Sequence, residues 1–170
     1  MTISMYQASI PTFVRALNNL ADILQKAADH AEAKKIDPAV LIASRLYPDM
    51  FPLAKQVQIA SDAAKGGAAR LAQAEPPAFE DNETTFPQLI ERARKTIAYL
   101  ETLKPEQIDG SEDRTVSWKT RTATKSMQGQ PYLLNHLLPN IFFHVTATYA
   151  ILRHNGVELG KQDFLGKVTQ

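Results

Sequence analysis

Apolar side chains recur every three or four residues at Tyr6, Ile10, Phe13, Leu17, Leu20, Leu24, Ala27 and Ala31. That spacing predicts one stripe of a long first helix. Pro11 falls early in it, so the helix either starts near Ser9 with Pro11 in its first turn or bends there. Lys34-Lys35 suits its C-terminal end, and Asp37-Pro38 breaks it. Ala39 to Leu46 reads as a short helical piece. Asp49 is the expected N-cap of a second long helix, Met50 to Gln73, with Pro52 in its first turn. Its inward row is Met50, Ala54, Val57, Ser61, Ala64, Ala68 and Leu71, and Gly66-Gly67 weakens its middle. After a loop marked by Pro76-Pro77 and Asp81-Asn82, Thr85 and Gln88 form a capping-box pattern. A third stripe follows at Phe86, Ile90, Ala93, Ile97 and Leu100, ending at Pro105.

Lys104 to Gln130 is the least helical stretch. Val116, Trp118, Thr120, Thr122 and Thr124 alternate with mostly polar neighbours, which predicts a short hairpin or an extended excursion. A last helix begins near Gln130 to Tyr132 and runs to Asn155, with Gly156 as its stop. Pro139 lies inside it and should bend it or mark a joint. The tail from Val157 carries Leu159, Phe164 and Leu165, apolar residues suited to packing back on the helices. The expected fold is therefore all-α: a four-helix bundle with one long crossover, between helices 3 and 4, that has room for a short β-hairpin.

Composition narrows the class. The 170 residues are 44% apolar and 22% charged, ordinary for one globular domain. Nineteen basic side chains against 18 acidic ones leave a net charge of +1. Nucleic-acid binding needs gathered Lys and Arg. The one basic-rich run, Arg114 to Lys125, spreads its charges among threonines, so no nucleic-acid partner is expected. There are no cysteines, which excludes disulfides, thiolate metal sites and cysteine nucleophiles. No signal-peptide pattern opens the chain and no apolar run is long enough to span a bilayer, so the expectation is a cytoplasmic protein with no membrane partner. No phosphate-cradling glycine loop or nucleophile elbow is present.

The candidate chemistry sits on the last helix. His144 shares an inward row with Leu137, Ile141, Thr148 and Ile151. It is either a core histidine satisfied by a neighbour, with Tyr149 and Gln58 as the candidates, or part of a ligand pocket; the first is the simpler reading. Asn140 either caps the helix after Pro139 or lines that pocket. His136, Asn140 and His144 are spaced by fours, but Pro139 disturbs their register, which counts against a metal cluster there. Lys55, Gln58 and Asp62 read as a solvated face. Glu80, Asp81 and Glu83 precede a helix start, where its dipole accounts for them. Trp118 beside Lys119 and Arg121 either stacks on a ligand or, more simply, covers the bundle or meets a partner chain. Phe142, Phe143 and Tyr149 lie off the His144 row, where another chain could cover them; a homodimer is the expected assembly.

These residues carry a resemblance. Leu46-Tyr47-Pro48-Asp49-Met50, Gln56-Val57-Gln58, Pro139-Asn140 with Phe143-His144, and Leu152-Arg153-His154-Asn155-Gly156-Val157 occur in the order found in one branch of the DinB/YfiT-like bundles. Lys161 through Gly166 completes the pattern, and that branch has no known function. The resemblance implies a four-helix bundle. It also implies where a metal would sit: metal-binding members use one histidine from the second helix and a His-x-x-x-His pair on the last. His144 falls at the second position of that pair. The first is Asn140 here, and the second helix offers only Gln56 and Gln58. One ligand of three remains, and amide oxygens are poor partners for zinc or nickel.

Two functions follow. The first is a non-catalytic or small-ligand-binding bundle with a degenerate metal pocket lined by His144, Asn140, Gln58 and Gln56, and with no cofactor. The alternative is a metal-dependent enzyme like the thiol transferases and isomerases among the relatives, with zinc or nickel weakly bound at His144.

Overall fold

The computed structural model describes residues 3–120 and 122–167. Its first helix, α1 (Met5–Lys34), starts earlier than the Pro11 argument suggested. Ser4 accepts from the Gln7 backbone and the Gln7 side chain reaches back to Ser4, a complete capping box. α1 continues through Pro11. The ring leaves the Gln7 carbonyl without its helical partner, and both residues lie on the exposed face, where water can take it. A short α2 (Pro38–Ala43) follows, capped by the Asp37 side chain.

The second long helix, α3 (Leu53–Ala72), begins three residues later than the Asp49 cap predicted. Pro52 is its N-cap residue, while Asp49 and Met50 belong to the preceding turn, closed by a bond from the Met50 amide to the Tyr47 carbonyl. Met50 and Ala54 are accordingly only half-buried; Leu53 takes the first inward place, followed by Val57, Ser61, Ala64, Ala68 and Leu71 as expected. Gly67 has a positive role rather than a weakening one. A Cβ there would stand 2.3 Å from Leu137 Cδ2 and 2.9 Å from its Cγ, so the missing side chain is what lets the last helix approach.

α4 (Phe86–Thr102) carries the predicted Thr85–Gln88 capping box and the predicted stripe. The crossover then makes a single turn, α5 (Pro105–Ile108), and the hairpin β1 (Thr115–Lys119) and β2 (Thr124–Gln128). The strands pair antiparallel, with Val116 opposite Met127 and Trp118 opposite Lys125. Val116 is buried, and Trp118 lies against Tyr132 and His136 at ring separations of 5.0 and 4.6 Å. The tryptophan thus covers the bundle. Arg121, its suggested companion in ligand stacking, lies outside the described residues.

The last rod is continuous but not uniform. It comprises α6 (Gly129–Pro131), a π-helical segment (Tyr132–Leu137) and α7 (Leu138–His154). The joint predicted at Pro139 is this segment. Proline cannot donate to a carbonyl four residues back, and the turn before it widens so that the Leu138 amide reaches Leu133 instead. The rod ends as expected, with Gly156 at φ +87° and the Val157 amide closing on Leu152. α8 (Lys161–Leu165) returns along α1. Leu159 is buried and Phe164 packs on the core, while Leu165 stays 43% exposed.

α1 packs on α4 and α7, and α3 on α7 and α4, which closes a four-helix bundle around a core running from Met5 to Leu159. No helix among the described residues is long and apolar enough to cross a membrane.

Candidate functional site

The inward row of the last rod is as predicted: Leu137 at the end of the π-helical segment and Ile141, His144, Thr148 and Ile151 of α7 are all buried. His144 keeps only 8% of its surface exposed. Its partner is neither Tyr149 nor Gln58. His144 Nδ1 lies 2.7 Å from Gln56 Oε1, a buried bond between the first turn of α3 and the middle of α7. Tyr149 instead packs its ring on Phe164.

The Gln56 amide determines which nitrogen of His144 bears the proton. Gln56 Nε2 donates to the Phe51 carbonyl at 3.0 Å, which turns its oxygen toward the imidazole. That oxygen can only accept, so His144 donates from Nδ1 and leaves Nε2 with a bare lone pair. Nε2 makes no hydrogen bond among the described residues and is not one of the polar atoms sealed from solvent. The Phe143 ring stands edge-on to the imidazole at 5.2 Å. Burial holds the His144 pKa below its ordinary 6.5, so the ring is neutral at pH 7. Replacing His144 with alanine should cost about 1–3 kcal/mol by emptying a core position and orphaning the Gln56 oxygen. Urea unfolding checks it, and an unchanged midpoint would show that the pair does not hold the core.

The other expected site residues scatter. Gln58, two residues beyond Gln56, points to the far side of α3 and donates to Glu83 at 2.9 Å. Asn140 is half-buried one turn before His144 and caps nothing, since α7 starts at Leu138 with Leu137 as its N-cap residue. His136 sits in the π-helical segment, whose wider turn carries it off the His144 row and onto Trp118. The spacing by fours therefore gathers no ligand set. Among the described residues no three of His, Cys, Asp and Glu come close enough to hold a metal ion. The donor set does not fit zinc or nickel held by the protein: one imidazole nitrogen is offered where a closed or catalytic site needs three or four ligands. The Nδ1–H···O=C bond does match the orienting contact that metal-bound histidines usually have, without the companions.

A second polar cluster was read only in part from the sequence. Lys55 and Asp62 keep the partly exposed face expected of them, Gln58 is buried, and Asp81 and Glu83 do more than meet a helix dipole. They surround Arg92, whose side chain is 1% exposed on the inner side of α4. Arg92 bonds Asp62 at 2.9 Å, Asp81 at 3.0 Å, Glu83 at 2.8 Å and the Glu80 carbonyl at 3.0 Å. Lys55 holds Asp81 at 2.6 Å, and Lys65 bonds Asp62 at 3.1 Å with its ammonium 4.0 Å from the Phe79 ring centroid. Three cations face three carboxylates, so the cluster is balanced and fastens residues 79–83 to α3 and α4. The overlooked signal was Arg92 itself, placed between Ile90 and Ala93 on the predicted stripe.

The chain matches the model of a family described as a domain of unknown function, DUF1993, over residues 5–165. Among solved structures it is similar to the crystal structure of a DinB family member protein from Shewanella denitrificans, with 39% identity and a TM-score of 0.88. That similarity covers 97% of this chain and 93% of the other. No curated protein matches it. With nearly the whole length covered and the bundle, the hairpin and the His144 row in place, the chain belongs to the DUF1993 family of DinB-like helical bundles.

Proposed function

We propose that this protein is a non-catalytic, small-ligand-binding member of the DinB-like bundles, in which the metal pocket of its relatives has degenerated. One observation carries the reading. The single imidazole of the pocket is tied through Nδ1 to an amide, and among the described residues it belongs to no cluster of three His, Cys, Asp or Glu that could hold a metal. What remains is a neutral acceptor, Nε2, on an imidazole that the Phe143 ring packs against at 5.2 Å, with Asn140 one turn before it. Such a site can accept one hydrogen bond from a hydroxyl or amide ligand. A second copy of the chain would cover Phe143, 56% exposed, together with Leu46, 39% exposed, which lines a groove with it from the loop before α3. Phe142 is less open than expected of a dimer face, since Phe164 lies 6.5 Å from it.

Elemental analysis of protein purified without a histidine tag tests the reading. Metal well below one equivalent, with a melting temperature unmoved by chelator, is the expected result. Near-stoichiometric zinc or nickel, lost together with stability on chelation, would favour the metal-dependent transferase or isomerase instead.

A further inference from the structure

α8 is attached to the bundle in an unusual way. None of its own residues is fully buried. It is held by polar tethers from α1. Arg15 donates through Nε and Nη2 to the Leu165 carbonyl at 3.1 and 2.8 Å, and through Nη2 to the Lys167 carbonyl at 3.2 Å. Asn19 donates to the Phe164 carbonyl at 2.9 Å, and Lys26 pairs with Asp163 at 2.6 Å. α8 ends at Gly166, φ +76°, close against Asn19: a Cβ there would stand 2.4 Å from Asn19 Oδ1.

Beneath this strap lies an unfilled groove of about 350 Å³ between α1, α7 and α8. The groove is half open to solvent, and its volume lies at the lower end of the roughly 300–1,000 Å³ that small-molecule sites span. Ala16, Val145 and Phe142 make an apolar floor, and Phe164 and Leu165 of the strap form the opposite wall. The lining residues include a single charge, the Arg15 guanidinium, whose Nη1 makes no hydrogen bond among the described residues. Thr12, Asn19 and Gln162 complete the polar edge. The Lys26–Asp163 pair farther along the strap neutralises itself.

We infer that this groove is a second binding site, separate from His144, for a small monoanion with an apolar body, of the medium-chain carboxylic acid class. The carboxylate meets Arg15, where a guanidinium hydrogen bond to an anion is strong and directional, and the chain lies on Ala16 and Val145 under the strap. Binding then ties the strap down.

Octanoate, octanol and octylammonium titrated into the full chain by calorimetry test this. Octanoate should saturate at one equivalent, with octanol about tenfold weaker and octylammonium weaker still. Amide signals of Asn19, Val145 and Gly166 should shift with octanoate, and hydrogen exchange of residues 161–167 should slow. Arg15→Gln should weaken octanoate about tenfold and octanol by less, since both lose the strap tethers but only octanoate loses the head contact. Ala16→Leu should block both probes. If it fails to fold, Leu165→Trp narrows the same groove from the strap side. His144→Ala should bind octanoate as the parent does, which separates this site from the one proposed above. Absence of saturable binding, octanol binding as tightly as octanoate, octanoate binding untouched by Arg15→Gln, or shifts centred on His144 would each overturn the inference.

Discussion

Replacing Arg92 with methionine is expected to lower the unfolding free energy by about 3 kcal/mol, the low end of the range for breaking a buried charge pair. Methionine keeps most of the apolar stem and removes only the fork. Asp62 and Asp81, 45% and 38% exposed, recover part of their hydration once the cation is gone. Glu83, at 9%, does not, and it loses its strongest partner. The loss should depend on pH. Asp81 lies below its ordinary 3.8, chiefly through the Lys55 bond and then Arg92. Burial pushes Glu83 up, but its bonds to Arg92 and Gln58 outweigh that and hold it below 4.5. Both carboxylates therefore bind protons more readily in the unfolded chain. Their contribution is full above those ordinary values and fades as pH falls through the lowered ones. Urea midpoints from pH 7 to pH 3 should show parent and Arg92→Met converging below about pH 4.5. A gap that stayed constant across that range would mean the cluster adds no net charge stabilisation.

A glycine series should produce the other large effect. A Cβ at Gly129 would lie 1.9 Å from the Ser111 carbonyl oxygen and 2.9 Å from its carbon. That neighbour is backbone, and the Gln130 amide bond to Glu112 pins the same two segments. Neither side can step aside, so Gly129→Ala should cost about 3 kcal/mol or more, the upper part of the overpacking range. Gly67→Ala meets a buried Leu137 that can rotate in part, and about 2 kcal/mol is expected. Gly66→Ala meets only the end of the flexible Arg70 side chain at 3.0 Å, and the gain in helix propensity should leave stability unchanged or up to about 1 kcal/mol higher. Thermal unfolding of the three variants should rank them in that order. Equal losses at Gly66 and Gly67 would refute the claim that close approach of the last helix explains Gly67.

What could be read from the chain alone followed from local rules. The stripes of α1 and α4, the Thr85–Gln88 cap, the hairpin around Val116 and Trp118, and the inward row holding His144 depend on neighbours within a turn or two. The start of α3 was misplaced because Asp49 and Pro52 both suit a helix entry, and only the turn from Tyr47 to Met50 decides between them. Gln56 and Gln58 could not be ranked from spacing. They sit on opposite faces of α3, and which face meets α7 is a tertiary fact. The Arg92 cluster rests on bonds such as Arg92 to Asp62, 30 positions apart, beyond the reach of periodicity. The separation of His136 from His144 by the π-helical segment, in contrast, agrees with the register break that Pro139 suggested.

The central claim is that Gln56 holds a neutral His144 with its proton on Nδ1, while Nε2 makes no hydrogen bond among the described residues. Long-range proton–nitrogen spectra of histidine-labelled protein at pH 7 test it directly. The account predicts a protonated Nδ1, an unprotonated Nε2 free of any metal-induced shift, and a titration midpoint below 6.5. A proton on Nε2, a ring still charged at pH 7, or an Nε2 signal displaced by a coordinated ion would contradict it.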